Sequence, residues 1–286
     1  MTINLSSPEK CLIIGCGDIG QRLALQLHPF GYQVTGLRRS VCDHLPYLHY
    51  RSGDATNLEQ MRSLLAEEFN IIVISMTPGE RSDAGYKQAY VDSCQVLLQA
   101  LDLQQQKPRL ILFVSSTAVY GQQDGSWVDE TSPTTPEGFS GKRLLEAEQL
   151  IVQSGYAHII LRFSGIYGPG RRRLIDQVAQ QRASASPHFT NRIHADDCAG
   201  VLAHFIEQSK QQTLDSLYLA SDSSPTPMIE VVSWIAEQLG AEDFLAADAV
   251  NERGNKRISN QRLLASGYRF CHPDFRSGYA TLLSKQ

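Results

Sequence analysis

No stretch of this chain approaches the roughly 20 consecutive apolar residues that a bilayer crossing needs. The polar opening MTINLSSPEK also lacks the charged-then-apolar layout of a secretion signal. A cytoplasmic protein that does not engage a membrane is the expectation. An excess of basic residues is missing too: 26 Lys and Arg stand against 30 Asp and Glu, a formal charge of -4. Without a basic face to release counterions, nucleic acid and anionic membranes are poor partners. A small-molecule substrate is the better expectation. The six cysteines, Cys11, Cys16, Cys42, Cys94, Cys198 and Cys271, form no Cys-x-x-Cys and no Cys/His pair at metal spacing. They read as buried structural thiols in a reducing compartment, and no metal is expected. Repeats, low-complexity tracts and long linkers are absent as well, so the parts of the chain should fold against one another.

The chain has 286 residues, 42% of them hydrophobic and 20% charged. That is enough to bury a substantial core and to add a smaller lobe. Apolar runs at Lys10 to Ile14, Gln33 to Leu37, Asn70 to Ser75, Arg109 to Ser115 and His158 to Phe163 predict strands. These runs are continuous, not alternating, which points to strands covered by helices on both faces and so to a parallel sheet. Helical stretches are predicted between and after them, from Leu23 toward Gly31 and over Leu58 to Glu68, Tyr86 to Leu103 and Lys142 to Ser154. Beyond Ile166 the pattern loosens, with a helix at Ala199 to Glu207, a strand at Ser216 to Ala220 and a helix at Met228 to Leu239. The expected architecture is α/β: a Rossmann-type doubly wound parallel sheet over residues 1–165. Residues 166–286 would form mainly a smaller C-terminal substrate-binding lobe, with some segments returning to the main sheet.

Gly15-Cys16-Gly17-Asp18-Ile19-Gly20 follows the first strand and opens the first helix. In that context the glycines have separate duties. Gly15 permits the tight turn, Gly17 lets backbone approach a pyrophosphate, and Gly20 lets helix and strand pack closely, while the helix N-terminus offers N–H donors to the anion. A nicotinamide dinucleotide is therefore the expected cofactor. An NAD site ordinarily places a carboxylate at the end of the second strand, to accept from the ribose 2'-hydroxyl. Here Arg38 and Arg39 stand there. A guanidinium cannot accept that bond but can clamp a 2'-phosphate, so NADP(H) is preferred over NAD(H); the plain alternative is two solvated arginines. Asp54, followed by Ala55, stands at the next strand end and either accepts from the adenine amino group or caps the helix that starts at Leu58.

Over nearly its whole length the chain resembles the extended short-chain dehydrogenase/reductase superfamily, in its NAD-dependent epimerase/dehydratase branch. The resemblance is carried by the glycine turn, by Gly53-Asp54, by Ser115-Ser116-Thr117-Ala118-Val119-Tyr120-Gly121, by Leu161 through Gly170 and by Arg192-Ile193-His194-Ala195-Asp196-Asp197. It implies a sheet that carries the cofactor, with Ser115 and Lys142 beside it, and a C-terminal lobe that grips a substrate, commonly a nucleotide sugar. Thr117, Tyr167, Arg171, Arg172, Arg173 and His194 are the candidate substrate contacts. The three arginines suit a phosphate or carboxylate, or form a solvated basic loop. Residues Lys256 to Asn260 and Leu263 to Tyr268 resemble the family's C-terminal segment and read as structural. The helices over Tyr86 to Leu103 and from Lys142 correspond to the dimer contact common in relatives, and the oligomeric state stays open between a monomer and a homodimer.

The same resemblance exposes a gap. Relatives use a Tyr-x-x-x-Lys pair beside a Ser or Thr: the lysine holds the nicotinamide ribose and the phenol acts as general base. Ser116 and Lys142 match two of these positions, but the tyrosine position is Gly138, and no tyrosine lies in the segment from Glu137 to Lys142. General acid/base work typically worth about 100- to 10,000-fold must then come from elsewhere or be absent. Tyr167, Tyr90 and Tyr86 are substitutes by family location and His194 by chemistry, although a buried histidine is often only a packing residue. Two readings stay open. One is an NAD(P)-dependent oxidoreductase, epimerase or dehydratase acting on a small polar substrate through Ser116 and Lys142. The other is a non-catalytic NADP(H)-binding sensor or scaffold.

Overall fold

The computed structural model describes residues 8–40, 44–241 and 254–284. Cys42 and the first seven residues, both used in the expectations above, lie outside this range. In chain order the first elements are β1 (Lys10–Ile14), α1 (Asp18–Leu27), β2 (Gln33–Arg38), β3 (His49–Ser52), α2 (Leu58–Leu65), β4 (Ile71–Ile74), α3 (Asp83–Tyr86), α4 (Ser93–Gln104) and β5 (Leu110–Ser116). There follow β6 (Trp127–Val128), α5 (Phe139–Gln153), β7 (His158–Phe163), β8 (Gly165–Tyr167), α6 (Arg173–Ala179), β9 (Phe189–Thr190), β10 (Arg192–His194) and α7 (Ala195–Gln208). The last are β11 (Leu217–Ala220), β12 (Thr226–Pro227), α8 (Met228–Gln238), β13 (Arg257–Ile258), α9 (Gln261–Ala265) and α10 (Phe275–Leu283).

Seven strands form the main sheet in the order β11-β7-β5-β4-β1-β2-β3. The pairs β1–β2, β1–β4, β2–β3 and β4–β5 are all parallel. Every residue of β4 is buried, as are four of the five in β1. This is what unbroken Ile/Val/Leu runs require when helices cover both faces. The chain is therefore of the expected Rossmann-type α/β class.

By contacts the chain divides into two discontinuous units. The first comprises Met1–Ser115, Gly138–Leu161 and Ala199–Ser216; the second comprises Ser116–Glu137, Arg162–Cys198 and Leu217–Gln286. Within the second, Tyr167, Ile175, Val178, Val231, Val232, Ile235, Phe275 and Tyr279 build a separate hydrophobic core.

Several local features differ from the sequence expectation, each for a physical reason. The single helix expected over Tyr86 to Leu103 is instead α3, a π-helical turn over Lys87–Asp92 and α4. Ser82 caps α3 by accepting from the Gly85 N–H, and the Ser93 hydroxyl donates to the Ala89 carbonyl at 2.6 Å. That bond competes with the helical ladder, which loosens at this point. Strand β3, mostly exposed, carries the sequence HYRS with no apolar alternation, so only its end beside Asp54 was expected. Helix α7 begins four residues earlier than expected, with Asp196 and Asp197 in its first turn, where the helix dipole favours them. Cys11, Cys16, Cys94 and Cys198 are buried and not in disulfides, but Cys271 is exposed, contrary to the expectation of a buried structural thiol. Among the described residues no helix is long and apolar enough to cross a membrane.

Candidate dinucleotide-binding site

The turn between β1 and α1 is organised by backbone alone. Gly15 has φ +78°, and both its N–H and that of Cys16 donate to the Leu37 carbonyl, at 3.0 and 3.1 Å. The Gly17 N–H closes onto the Gly15 carbonyl at 2.8 Å, and the Gln21 N–H returns to Gly17 at 2.9 Å, starting the helical ladder. No side chain caps α1. Helix geometry provides no acceptor inside the helix for the N–H groups of its first turn, so this end suits an anion. A Cβ on Gly17 would meet nothing nearer than 4.0 Å, which leaves open space above the backbone. At Gly20 a Cβ would fall 2.8 Å from Cys16 Sγ, and at Gly36 2.7 Å from the same sulfur. Cys16 is thus the small buried plug that the loop closes around, and Gly36, which no motif singled out, makes room for it.

Beyond this turn lies a cavity of about 240 Å³ at the carboxyl ends of β1, β2, β3 and β4. Its walls include Gly15, Gly17, Arg38, Arg39, Asp54, Ala55 and, unforeseen, Met76, Thr77, Gly79, Gln88 and Ala89. Arg38 lies over the Tyr50 ring at 5.9 Å, and the Tyr50 hydroxyl accepts from Gln21 Nε2 at 2.8 Å. The Arg39 guanidinium packs at Gly79, where a Cβ would come within 3.1 Å of Nη2. Asp54 accepts from the Thr56 N–H and hydroxyl at 2.9 and 2.8 Å; these bonds, with Arg39 nearby, hold its carboxyl below the usual carboxylate range. It is not the cap of α2. Asn57 takes that role by accepting from the Gln60 N–H at 3.0 Å, which leaves Asp54 facing the cavity. Asp18, at the mouth of the turn, is paired with Arg22 at 2.8 Å.

The candidate catalytic residues take varied positions. Ser115 is buried and its hydroxyl donates to Glu148 Oε1 at 2.5 Å; Glu148, 3% exposed on α5, was invisible to motif reading. Ser116 Oγ accepts from the Ala118 N–H at 3.2 Å and caps the short turn Thr117–Val119, which leaves its own proton to donate. Lys142 is exposed on α5, whose N-cap is Gly138 itself, and the Lys142 N–H donates to the Gly138 carbonyl at 3.2 Å. The nearest atom to a Cβ on Gly138 would be Ser140 Oγ at 3.9 Å, so no neighbour fills the place of the side chain.

Two of the three tyrosines named as substitutes for the phenolic base, Tyr90 and Tyr167, have their phenols raised by burial. Burial, with Tyr86 adjacent, pushes the Tyr90 phenol up to about 12. Tyr167 lies in the core of the second unit, stacked on Tyr279 at 4.5 Å, and burial drives its phenol far above the usual range. Tyr167 is therefore buried within that packing cluster. Arg172 donates to the Leu282 carbonyl at 2.6 Å and so anchors α10, whereas Arg171 and Arg173 are exposed. His194 is 1% exposed, and its Nδ1 accepts from the Asp196 N–H at 3.2 Å.

A family model described as NAD dependent epimerase/dehydratase matches residues 11–216, well over half of the chain. The chain belongs to that family. A solved structure of a putative NAD-dependent epimerase/dehydratase from Methylobacillus flagellatus is 39% identical, with a TM-score of 0.83 and coverage of 98% of this chain and 99% of that one. Protein YeeZ of Escherichia coli strain K12 is 28% identical over 278 residues, 93% of this chain and 97% of its own. MoeE5, solved in complex with UDP-glucose and NAD, shares the fold at 24% identity and a TM-score of 0.79, covering 96% of this chain and 97% of that one.

This epimerase-family chain carries two further buried ionisable groups in its second unit, Lys256, which the sequence placed in a structural segment, and Asp222, which it did not single out. Lys256, 7% exposed, donates to the Tyr120 carbonyl at 2.7 Å, and burial lowers its pKa. Asp222 is fully buried: Oδ1 accepts from the Ser224 N–H at 3.2 Å, while Oδ2 has no partner among the described residues. Burial, opposed by Arg192, pushes its carboxyl up to about 7. Between its ordinary value of 3.8 and about 7 the folded state then holds a proton that the unfolded state has lost. Stability should accordingly fall as pH rises through that window. Asp222→Asn is expected to flatten this slope and to be more stable than wild type at pH 8, with little difference near pH 4. Urea unfolding at several pH values checks this; an unchanged slope would show that the carboxyl is not held protonated.

Proposed function

We propose that this family member binds NADP(H) in the cavity of its first unit and acts as an oxidoreductase of the epimerase/dehydratase type on a small polar substrate, of the nucleotide-sugar kind. One observation supports the cofactor choice above others. Arg38 ends β2, Arg39 follows it, and both line the cavity where an NAD site would present a carboxylate. The pyrophosphate would lie on the amides at the start of α1, and the adenosine end would lie between Arg38, Arg39 and Asp54. Bound cofactor supplies hydride chemistry; the chain's part is to hold and orient. In this reading Lys142 bonds the nicotinamide ribose and Ser116, its proton unspent, polarises a substrate hydroxyl or carbonyl.

A second reading is binding without turnover, as a redox sensor or scaffold, and specific observations favour it. Gly138 stands where the general base is expected, and Tyr90 and Tyr167 are pushed away from ionisation. Titration of NADPH and NADH, followed by nicotinamide fluorescence, is expected to show tighter NADPH uptake. A screen of nucleotide sugars and small carbonyl compounds for oxidation of bound NADPH then separates the readings: tight binding with no oxidation supports the sensor. Uptake of neither coenzyme would sink both.

A further inference from the structure

A second constellation lies at the start of α7, in the second unit, and does not depend on the cofactor reading. Ligand atoms of His194, Asp196 and His272 all lie within 4.8 Å of one another. His194 Nδ1 is 3.5 Å from Asp196 Oδ2, and the His194 and His272 ring centroids are 4.0 Å apart. We propose that these three side chains form a binding site for a borderline divalent metal ion of the Zn2+ type, with a fourth position left to water.

The arrangement is held in place before any ion arrives. β10 pairs in parallel with β8 through the register His194↔Tyr167, which fixes one imidazole at 1% exposure. Asp196 follows in the first turn of α7. The next residue, Asp197, fully buried, anchors the distant segment that carries the second imidazole. Its carboxylate accepts the N–H groups of Cys271 and His272 at 2.7 and 2.9 Å, as well as the Tyr268 hydroxyl at 2.8 Å. The Asp196 side chain is 43% exposed, so the cluster has a route to solvent on one side. Two imidazole nitrogens and one carboxylate oxygen match the preference of Zn2+, and three protein ligands plus water make up a tetrahedral open site. Cys271 is next to His272 in the chain, but its sulfur is not among the ligand atoms that converge here. No spacing rule applied to the sequence could find this set, because the second histidine returns from a remote segment next to the last helix.

The full chain, stripped of metal with a chelator, can be titrated with Zn2+ against a chromophoric competitor and, separately, with Co2+ followed by its visible ligand-field bands. One ion per chain is expected. His272→Ala and Asp196→Asn should each weaken binding at least about tenfold, with loss of the Co2+ bands, whereas Cys271→Ser should bind like wild type. Asp196→Asn keeps the size and shape of a partly exposed side chain, so it carries the test even if the histidine variant does not fold. The proposal is overturned if no stoichiometric ion is taken up, if both variants bind as tightly as wild type, or if Cys271→Ser loses the ion with them.

Discussion

Gly15→Ala should cost the chain its coenzyme binding and about 3 kcal/mol of folding stability. Two costs act together. The residue sits at φ +78°, where an L side chain is strained by about 1–2 kcal/mol. A Cβ would also fall 2.7 Å from the Ser75 carbonyl oxygen and 2.8 Å from Met76 Cα. Both are backbone atoms of the segment just after β4, so relief requires the chain itself to move, and overpacking of this kind costs about 1–3 kcal/mol. Any such movement pulls the Gly15 and Cys16 amides off the Leu37 carbonyl and tilts the start of α1, the element that would receive the pyrophosphate. NADPH titration should show at least about 30-fold weaker binding, by the loss of two or more hydrogen bonds to a charged group. Urea unfolding reads the stability. A variant that bound NADPH like wild type would mean that the coenzyme does not lie on this turn.

Arg38→Asp is expected to weaken NADPH about 100-fold while changing NADH less than about threefold, since a charge-assisted bond is worth about 1.5–3 kcal/mol and the new carboxylate repels the 2'-phosphate. Arg38 is half-buried and braced by the Tyr50 ring, which is itself tied to Gln21, so its position is set before ligand arrives. Arg39, drawn to Gly79 and Asp54, is the lesser contributor in this view. Equal losses for both coenzymes would show that the guanidinium does not read a 2'-phosphate. Little loss of thermal stability is expected, because the Tyr50 stacking contributes only about 0.5–1 kcal/mol.

How far the sequence could be read depended on whether each contact was local. β1 and the glycine turn were legible to the residue because strand, turn and helix are successive and each imposes its own residue type: Ile and Leu where both faces are covered, glycine where φ is positive or backbones touch. Arg38 was legible for the same reason, standing at a fixed offset from that turn. β3 was legible only at its end beside Asp54, since its polar, mostly exposed residues carry no hydrophobic period. The break ahead of α4 was not legible, because one serine hydroxyl competes with the helical ladder there.

The side chains with the most unusual surroundings were the least visible. Glu148 beside Ser115, Asp222 without a partner for Oδ2, and Asp197 gathering three donors from residues 268–272 all owe their state to segments far away in the chain. By itself the sequence determined the fold class and the place of the glycine turn, because hydrophobic period and glycine spacing act over a few residues, and the family resemblance came from several motifs in order. Only the tertiary structure decided that Tyr167 is buried in a packing cluster, that Asn57 and not Asp54 caps α2, and that His194, Asp196 and His272 meet. Burial and ligand geometry are set by which distant segments pack together, and no local pattern records that.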